Sequence, residues 1–164
     1  MKREVGKAKS EENLCNCTAL RKASRRISQL YDSALSSSGL KTTQRSIMTQ
    51  IRRSQPTTVG KLAAALVMDS GALAHTLKPL ERDRLVAIKI DSEDRRNRLI
   101  TLTPLGSTRL AASDAHWENA QRAFEQAFGG VKSDALRDAM RLLVSDDFAA
   151  TFEKTMARTA EGPL

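Results

Sequence analysis

The sequence predicts a mainly α-helical fold with one small β-hairpin. Three observations predict it. Val86-Ala87-Ile88-Lys89-Ile90 and Leu99-Ile100-Thr101-Leu102 are short apolar, β-branched runs on either side of a turn with no hydrophobic residue, the pattern of a hairpin. A helical segment ending Leu80-Glu81-Arg82-Asp83-Arg84-Leu85 leads directly into it. Elsewhere apolar residues recur at three- and four-residue spacing, and aromatics make up only 4% of the chain, a mixture that favours helix over β-sandwich. A helix feeding a basic two-stranded wing is the layout of a winged helix-turn-helix.

From the N-terminus, Ala19, Leu20, Ala23, Ile27, Leu30, Tyr31, Ala34 and Leu35 mark an amphipathic helix from about Cys17 to Leu35, which Ser36-Ser37-Ser38-Gly39 stops. A second helix is expected from an N-cap at Thr42 or Thr43 to about Arg53, with Ile47, Met48 and Ile51 inward. Gln55-Pro56-Thr57 breaks it, and Thr58 offers a cap for a helix from Val59 to Leu66. Val67-Met68-Asp69 is a short connection. Asp69 or Ser70 then caps the recognition helix, which extends to about Asp83 with Pro79 expected to bend it. After the wing, Thr103-Pro104 reads as an N-cap with proline at the first helical position, opening one helix to about Phe128 that Gly129-Gly130 ends. A last helix is expected from about Ser133 to Thr155, in one piece or in two around Ser145-Asp146.

The net charge of +8 is unevenly distributed. Residues 1–40 carry 8 Lys/Arg against 4 Asp/Glu (+4), residues 41–109 carry 13 against 6 (+7), and residues 110–164 carry 6 against 9 (−3). A basic middle on an otherwise acidic C-terminal half is the footprint expected for a partner with a phosphate backbone. Arg95, Arg96 and Arg98 sit in or beside the wing turn among Asp91, Glu93 and Asp94, so the wing is expected to touch an anion. No apolar run approaches the roughly 20 residues that span a bilayer. Residues 1–13 have charge but no apolar core, and read as a disordered tail rather than a secretory signal; the expected location is cytoplasmic. No nucleophile elbow, glycine-rich phosphate loop or HExxH motif is present, and the two histidines, His75 and His116, lie far apart in sequence. The chain is therefore expected not to be an enzyme, and to need no metal or cofactor.

Three stretches together resemble the MarR family of transcription regulators. Leu40 with Gln44, Ile47 and Met48 is similar to the family's "L-T-x-x-Q" start of its second helix, with Lys41 in place of the threonine. Leu62-Ala63 followed by Leu80-Glu81-Arg82-Asp83-Arg84-Leu85-Val86 resembles "LA … LE-x-x-G-L-V". Asp94-Arg95-Arg96 and Leu102-Thr103-Pro104-Leu105-Gly106 resemble the "D-x-R … L-T-x-x-G" wing and exit. The resemblance spans residues 17–155. It implies an obligate homodimer on a pseudo-palindromic double-stranded DNA operator, acting as a repressor that a small molecule or thiol oxidation releases. Ser70, His75, Thr76 and Lys78 are the recognition-helix candidates, Arg84 a phosphate contact, and Arg95, Arg96 or Arg98 the minor-groove residue. Two departures stand out. The recognition helix opens on Asp69-Ser70-Gly71-Ala72, which offers few base-reading groups, and Arg84 replaces the family's turn glycine although arginine tolerates positive φ poorly.

The implied organisation is a tail (1–13), an N-terminal dimerisation helix (14–40), the DNA-binding domain (41–105) and C-terminal dimerisation helices (106–158). The spare apolar residues Trp117, Phe124, Phe128, Leu136, Leu142, Leu143, Phe148 and Phe152 are expected to be buried against a second copy or within a monomeric bundle. A crevice for an aromatic or amphipathic effector is expected beside Tyr31, Met48, Trp117 and Phe124. Cys15-Asn16-Cys17 lies at the start of the first helix, where a thiol next to Arg21 and Lys22 gains thiolate character. Cys17-Thr18-Ala19-Leu20 with Leu30-Tyr31 also resembles the hydroperoxide-sensing branch of the family, in which the cysteine is oxidised and a tyrosine at Tyr31's place hydrogen-bonds it. The competing readings are a non-specific architectural DNA binder and a protein–protein adaptor that has kept the fold.

Overall fold

The computed structural model describes residues 15–160; the expected tail at 1–13 lies outside them. The chain divides after Glu118 into two compact units. The first contains α1 (Asn16–Ala34), a 3₁₀ turn (Ser36–Ser38), α2 (Thr42–Ser54), β1 (Thr57–Thr58), α3 (Val59–Leu66), α4 (Ser70–Arg82), β2 (Val86–Ile90), β3 (Arg98–Leu102) and α5 (Pro104–Ala112). The dividing point falls within α6 (Asp114–Phe128); the second unit continues with α7 (Gly130–Leu143) and α8 (Asp146–Ala160).

Most of the first unit's boundaries follow from local chemistry. The Thr58 hydroxyl accepts from the Lys61 N–H at 3.3 Å and the Asp69 carboxylate from the Ala72 N–H at 2.9 Å, so each helix of the helix-turn-helix starts on a side-chain cap. Neither Thr42 nor Thr43 is the cap of α2. Lys41 occupies that position, with its N–H bonded to the Gln44 side chain (2.9 Å), and Asp32 of α1 accepts from the Thr42 N–H (2.6 Å). α4 runs through Pro79 without a break, although proline has no N–H to give the His75 carbonyl.

Three further sequence expectations need correction. The sheet has three strands, in the order β1-β3-β2. Thr57 pairs with Ile100 and Thr58 with Leu99, while β2 and β3 form the expected hairpin with Val86 opposite Leu102. The single helix expected from Pro104 to Phe128 is two, separated at Ser113. The buried Ser113 hydroxyl donates to the Leu110 carbonyl (2.6 Å) and accepts from Arg45 Nε (3.1 Å), which holds the chain in a turn. Arg84 keeps the left-handed turn that glycine would make, at φ 58°. The last helical region is in two pieces, as one of the two alternatives has it.

The first unit's core gathers Ile47, Met48 and Ile51 of α2, Leu62 of α3, Leu73, Leu77 and Leu80 of α4, Val86 and Ile100 of the sheet, and Leu110 of α5. All of these are essentially inaccessible to solvent, and at about 1.5–3 kcal/mol for each large side chain they supply the main stabilisation of the first unit. Gln55 Oε1 accepts from the Leu102 N–H at 2.8 Å, which fixes the end of β3 to the residue following α2. The wing's root is tighter still. Leu85 O accepts from the Thr103 N–H (3.1 Å), the Thr103 hydroxyl donates to Arg84 O (2.7 Å) and accepts from the Gly106 N–H (2.9 Å). A Cβ on Gly106 would lie 1.9 Å from Leu85 O, so only glycine fits there.

In the second unit Phe124 and Phe128 pack at 5.4 Å between ring centroids and Phe148 and Phe152 at 6.3 Å. Arg137 bridges Glu125 (3.3 Å) and Asp134, and Arg141 pairs with Asp138. α8 buries none of its residues: Phe148, Phe152 and Met156 stay exposed on one stripe, Phe152 at 58%. α1 of the first unit likewise has no buried residue, with Leu30 at 55%.

Candidate nucleic-acid interface

α3 and α4 meet through Val67, at φ 51°, ψ 47°. The Val67 N–H reaches Ala64 O and the Met68 N–H reaches Ala63 O, which together close a Schellman motif. The same pattern recurs after α4, where the Arg84 N–H bonds Glu81 O (2.9 Å) and the Leu85 N–H bonds Leu80 O (2.8 Å). These two left-handed residues set the angle of α4 to α3 and the angle at which the chain enters the wing.

Leu73, Leu77 and Leu80 fix the inward face of α4. At 100° per residue the opposite face carries Gly71, His75, Lys78 and Arg82. His75 and Lys78 are thus exposed and outward, as expected. Ser70 and Thr76 sit on the flanks, and the Thr76 hydroxyl is engaged with the Ala72 carbonyl at 3.0 Å. Arg82 was not among the sequence candidates, yet it lies on the outward line. Counting back from the three leucines would have found it.

The wing turn is organised by two carboxylates. Asp91 accepts from the Glu93 N–H (2.9 Å) and Asp94 from the Arg96 N–H (3.1 Å), while the Asp91 N–H closes the loop on Asn97 O (3.0 Å). Asp94 also takes a two-pronged contact from the Arg96 guanidinium, Nε at 3.1 Å and NH2 at 3.3 Å. The Arg96 side-chain bond, with the Arg96 backbone N–H second, holds the Asp94 carboxyl below the ordinary carboxylate range. Arg84, Arg95 and Arg98 are exposed, and their side chains have no hydrogen bond or ion pair among the described residues. Of the sequence-predicted DNA candidates, His75 and Lys78 lie on the outward side of α4, Arg84 at its exit and Arg95, Arg96 and Arg98 in or beside the wing turn, all exposed, while Ser70 and Thr76 flank α4.

A second locus lies between α1, α2 and the start of α6, as a cleft of about 320 Å³. Tyr31, Thr42, Arg45, Thr49, Arg53 and Trp117 are among its lining residues. Arg45 is buried: its NH2 is 2.6 Å from Asp114 Oδ1, and its guanidinium stacks 4.7 Å from the Trp117 ring centroid. Arg52 reaches the other Asp114 oxygen at 3.5 Å. Two of the four expected crevice residues, Tyr31 and Trp117, line this cleft. Met48 does not, because it is completely buried in the core, and Phe124 belongs to the second unit.

Cys15 is the N-cap of α1 and Cys17 lies on its first turn; both thiols are free and exposed. The Thr18 hydroxyl donates to Cys15 Sγ at 3.2 Å, and that bond is the main reason the Cys15 pKa is lowered. Tyr31 stands on the same continuous helix as Cys17, about 21 Å further along at 1.5 Å per residue, so it does not reach Cys17 of its own chain. Among the described residues no group of three His, Cys, Asp or Glu side chains is placed to hold a metal, and no helix is long and apolar enough to cross a membrane.

The MarR family model matches residues 40–97, from the end of the 3₁₀ turn to the wing. Over 77% of this chain and 95% of its own, the M. tuberculosis transcriptional regulator MosR, solved in complex with DNA, is 31% identical with a TM-score of 0.68. The chain belongs to the MarR family. The fold is shared more widely. The transcriptional repressor CouR, solved on a 23-mer DNA duplex, superposes with a TM-score of 0.75 at 19% identity, covering 82% of this chain and 96% of that one. S. aureus MepR, also solved with DNA, gives 0.69 at 18%, covering 80% and 97%. No curated protein matches the chain. Within the MarR framework α4 is the recognition helix, α3 its partner in the helix-turn-helix, and β2-β3 the wing.

Proposed function

We propose that this MarR-family chain works as a homodimer that binds a pseudo-palindromic DNA operator and represses transcription until a signal releases it. The observation that carries the reading is that Lys78 and His75 on α4, Arg84 at its exit and Arg95 and Arg98 on the wing are all exposed, with side chains that make no hydrogen bond or ion pair among the described residues. Arginine on a thin wing suits the negative potential of a narrow minor groove. Base readout from the start of α4 is sparse, because Gly71 and Ala72 carry no polar side chain, so the operator is selected in part by its shape.

The domain roles follow: 14–40 and 106–158 supply the dimer contacts and 41–105 binds DNA. Support for the dimer comes from α1 and α8, two helices with no buried residue and with large apolar side chains exposed. A symmetric pair would place two α4 helices in successive major grooves, about 34–36 Å apart. The effector is a small aromatic or amphipathic molecule in the cleft beside Trp117. The thiol alternative now favours Cys15 over Cys17, since Thr18 stabilises its thiolate. In that case the thiolate attacks the terminal oxygen of an organic hydroperoxide, the O–O bond breaks to leave the sulfur as sulfenic acid, and the departing alkoxide takes a proton from water to become an alcohol. Any tyrosine that contacts Cys17 would come from the second copy.

Competition binding tests the main reading. A preference of about 10³-fold or more for a selected duplex over random DNA supports an operator-specific regulator. Equal affinity for both would establish the non-specific architectural binder. Binding that is absent at all salt concentrations would leave the adaptor, because phosphate contacts make affinity fall steeply with salt. Replacing Arg95 and Arg96 with Ala should weaken binding and flatten the salt slope.

A further inference from the structure

The end of the recognition helix carries a second arginine arrangement that the wing reading does not use. Arg82 lies on the outward line of α4, in register with Lys78 and diametrically opposite Leu73, Leu77 and Leu80. Its side chain is 75% exposed, yet it is not open: Nε is 2.9 Å from Asp83 Oδ1 and NH2 is 3.5 Å from Asp83 Oδ2. This is the edge and the geometry with which a guanidinium grips a phosphate. Asp83 is itself fixed, because it is the C-cap of α4 and its N–H bonds Pro79 O at 2.9 Å. The next residue, Arg84, is held left-handed by the Schellman motif, and its side chain has no bonding partner among the described residues. The sequence Arg82-Asp83-Arg84 thus sets one arginine capped by a carboxylate beside one that is open.

We infer that Arg82 is a DNA phosphate contact and that Asp83 occupies its phosphate-binding edge until the duplex displaces it. The inference rests on the DNA-binding reading. The exchange breaks two charge-assisted hydrogen bonds within the chain, forms their equivalents to a phosphate, and returns the Asp83 carboxylate to water. Loosely held DNA therefore meets a neutral pair at this position, whereas a duplex seated closely enough to make the fork recruits an additional cation. The device lowers affinity for badly fitting DNA more than for the operator.

A double-mutant cycle tests this, read by fluorescence anisotropy with the full-length protein on a short duplex enriched from a random pool by the wild type. Urea denaturation of each variant checks that it is folded. Asp83→Asn should tighten binding about two- to fivefold, the range an exposed ion pair commands. In an Arg82→Ala background the same change should have almost no effect, and Arg82→Ala alone should reduce the salt slope by about one. Equal tightening in both backgrounds would overturn the inference, since Asp83 would then be acting only as a nearby negative charge. Weaker binding by Asp83→Asn would overturn it too, making Asp83 an orienting partner instead. Folded wild-type protein that enriches no duplex would remove the DNA reading itself, and the inference with it.

Discussion

Val67 should be a position at which losing a side chain strengthens the protein. It is β-branched, it joins the two helices of the helix-turn-helix, and it is held at φ 51°, ψ 47°. Left-handed backbone costs an L-residue about 1–2 kcal/mol, and branching at Cβ places valine towards the upper end. Glycine removes that cost but gives back about 0.5–1 kcal/mol through the freer unfolded chain. The side chain is 69% exposed, so deleting it forfeits only about 0.5 kcal/mol of apolar burial. The balance for Val67→Gly is a gain of about 0.5–1 kcal/mol, worth roughly 1–4 °C in Tm for a chain of this size. Urea denaturation followed by circular dichroism measures it as a higher midpoint with an unchanged slope. Val67→Ala is the control, since alanine keeps the Cβ and most of the strain. If alanine stabilises as much as glycine, or if glycine destabilises, the strain does not reside in the backbone and the reasoning fails.

Gly106→Ala should act in the opposite sense. A Cβ placed 1.9 Å from Leu85 O forces backbone apart at the root of the wing, and a loss of about 3 kcal/mol or more is expected by the same denaturation assay; a loss below about 1 would contradict the contact. Arg45→Leu strips Ser113 and Asp114 of a buried partner and unstacks Trp117, and should cost about 2–3 kcal/mol while quenching or shifting the fluorescence of the single tryptophan. At the wing, the folded pKa of Asp94 is depressed, so its pairing with Arg96 is present above the ordinary aspartate pKa and is lost as pH falls through the lowered value. Carboxyl ¹³C NMR should show Asp94 titrating below a typical aspartate in the wild type and moving back up in Arg96→Ala; identical titrations in the two proteins would mean that Arg96 is not the cause.

What could be read in the sequence was what neighbouring residues decide among themselves. Thr58, Asp69 and Thr103 cap their helices because a side-chain oxygen three residues before an N–H needs no distant partner. The hairpin register likewise follows from a short polar turn between two apolar runs. What escaped depends on residues far apart in the chain. Thr57-Thr58 is too short to announce itself as a strand and acquires that character only through Leu99 and Ile100. The alanine-rich run after Pro104 favours an unbroken helix, and it breaks at Ser113 where Arg45, 68 positions earlier, bonds to the serine hydroxyl. Arg84 misled for a different reason. Its side chain argues against positive φ, but the Thr103 hydroxyl on its carbonyl and the Schellman pair hold the backbone there regardless. At the interface, exposure and outward direction on α4 followed from spacing alone, whereas the bonds that leave some arginines open and cap others did not.

The junction of Leu85, Thr103 and Gly106 leaves no room for a hinge, so the wing is a socket with a detachable tip. The socket is made by Thr103, Gly106 and the backbone of Arg84 and Leu85, none of them in the loop, and the tip is closed independently by the Asp91–Asn97 backbone bond. Residues 92–96 are therefore free to change in length and charge without disturbing the strands that carry them. A protein built this way can change what its wing tip touches by exchanging a handful of loop residues while its helices, and whatever they assemble with, stay as they are.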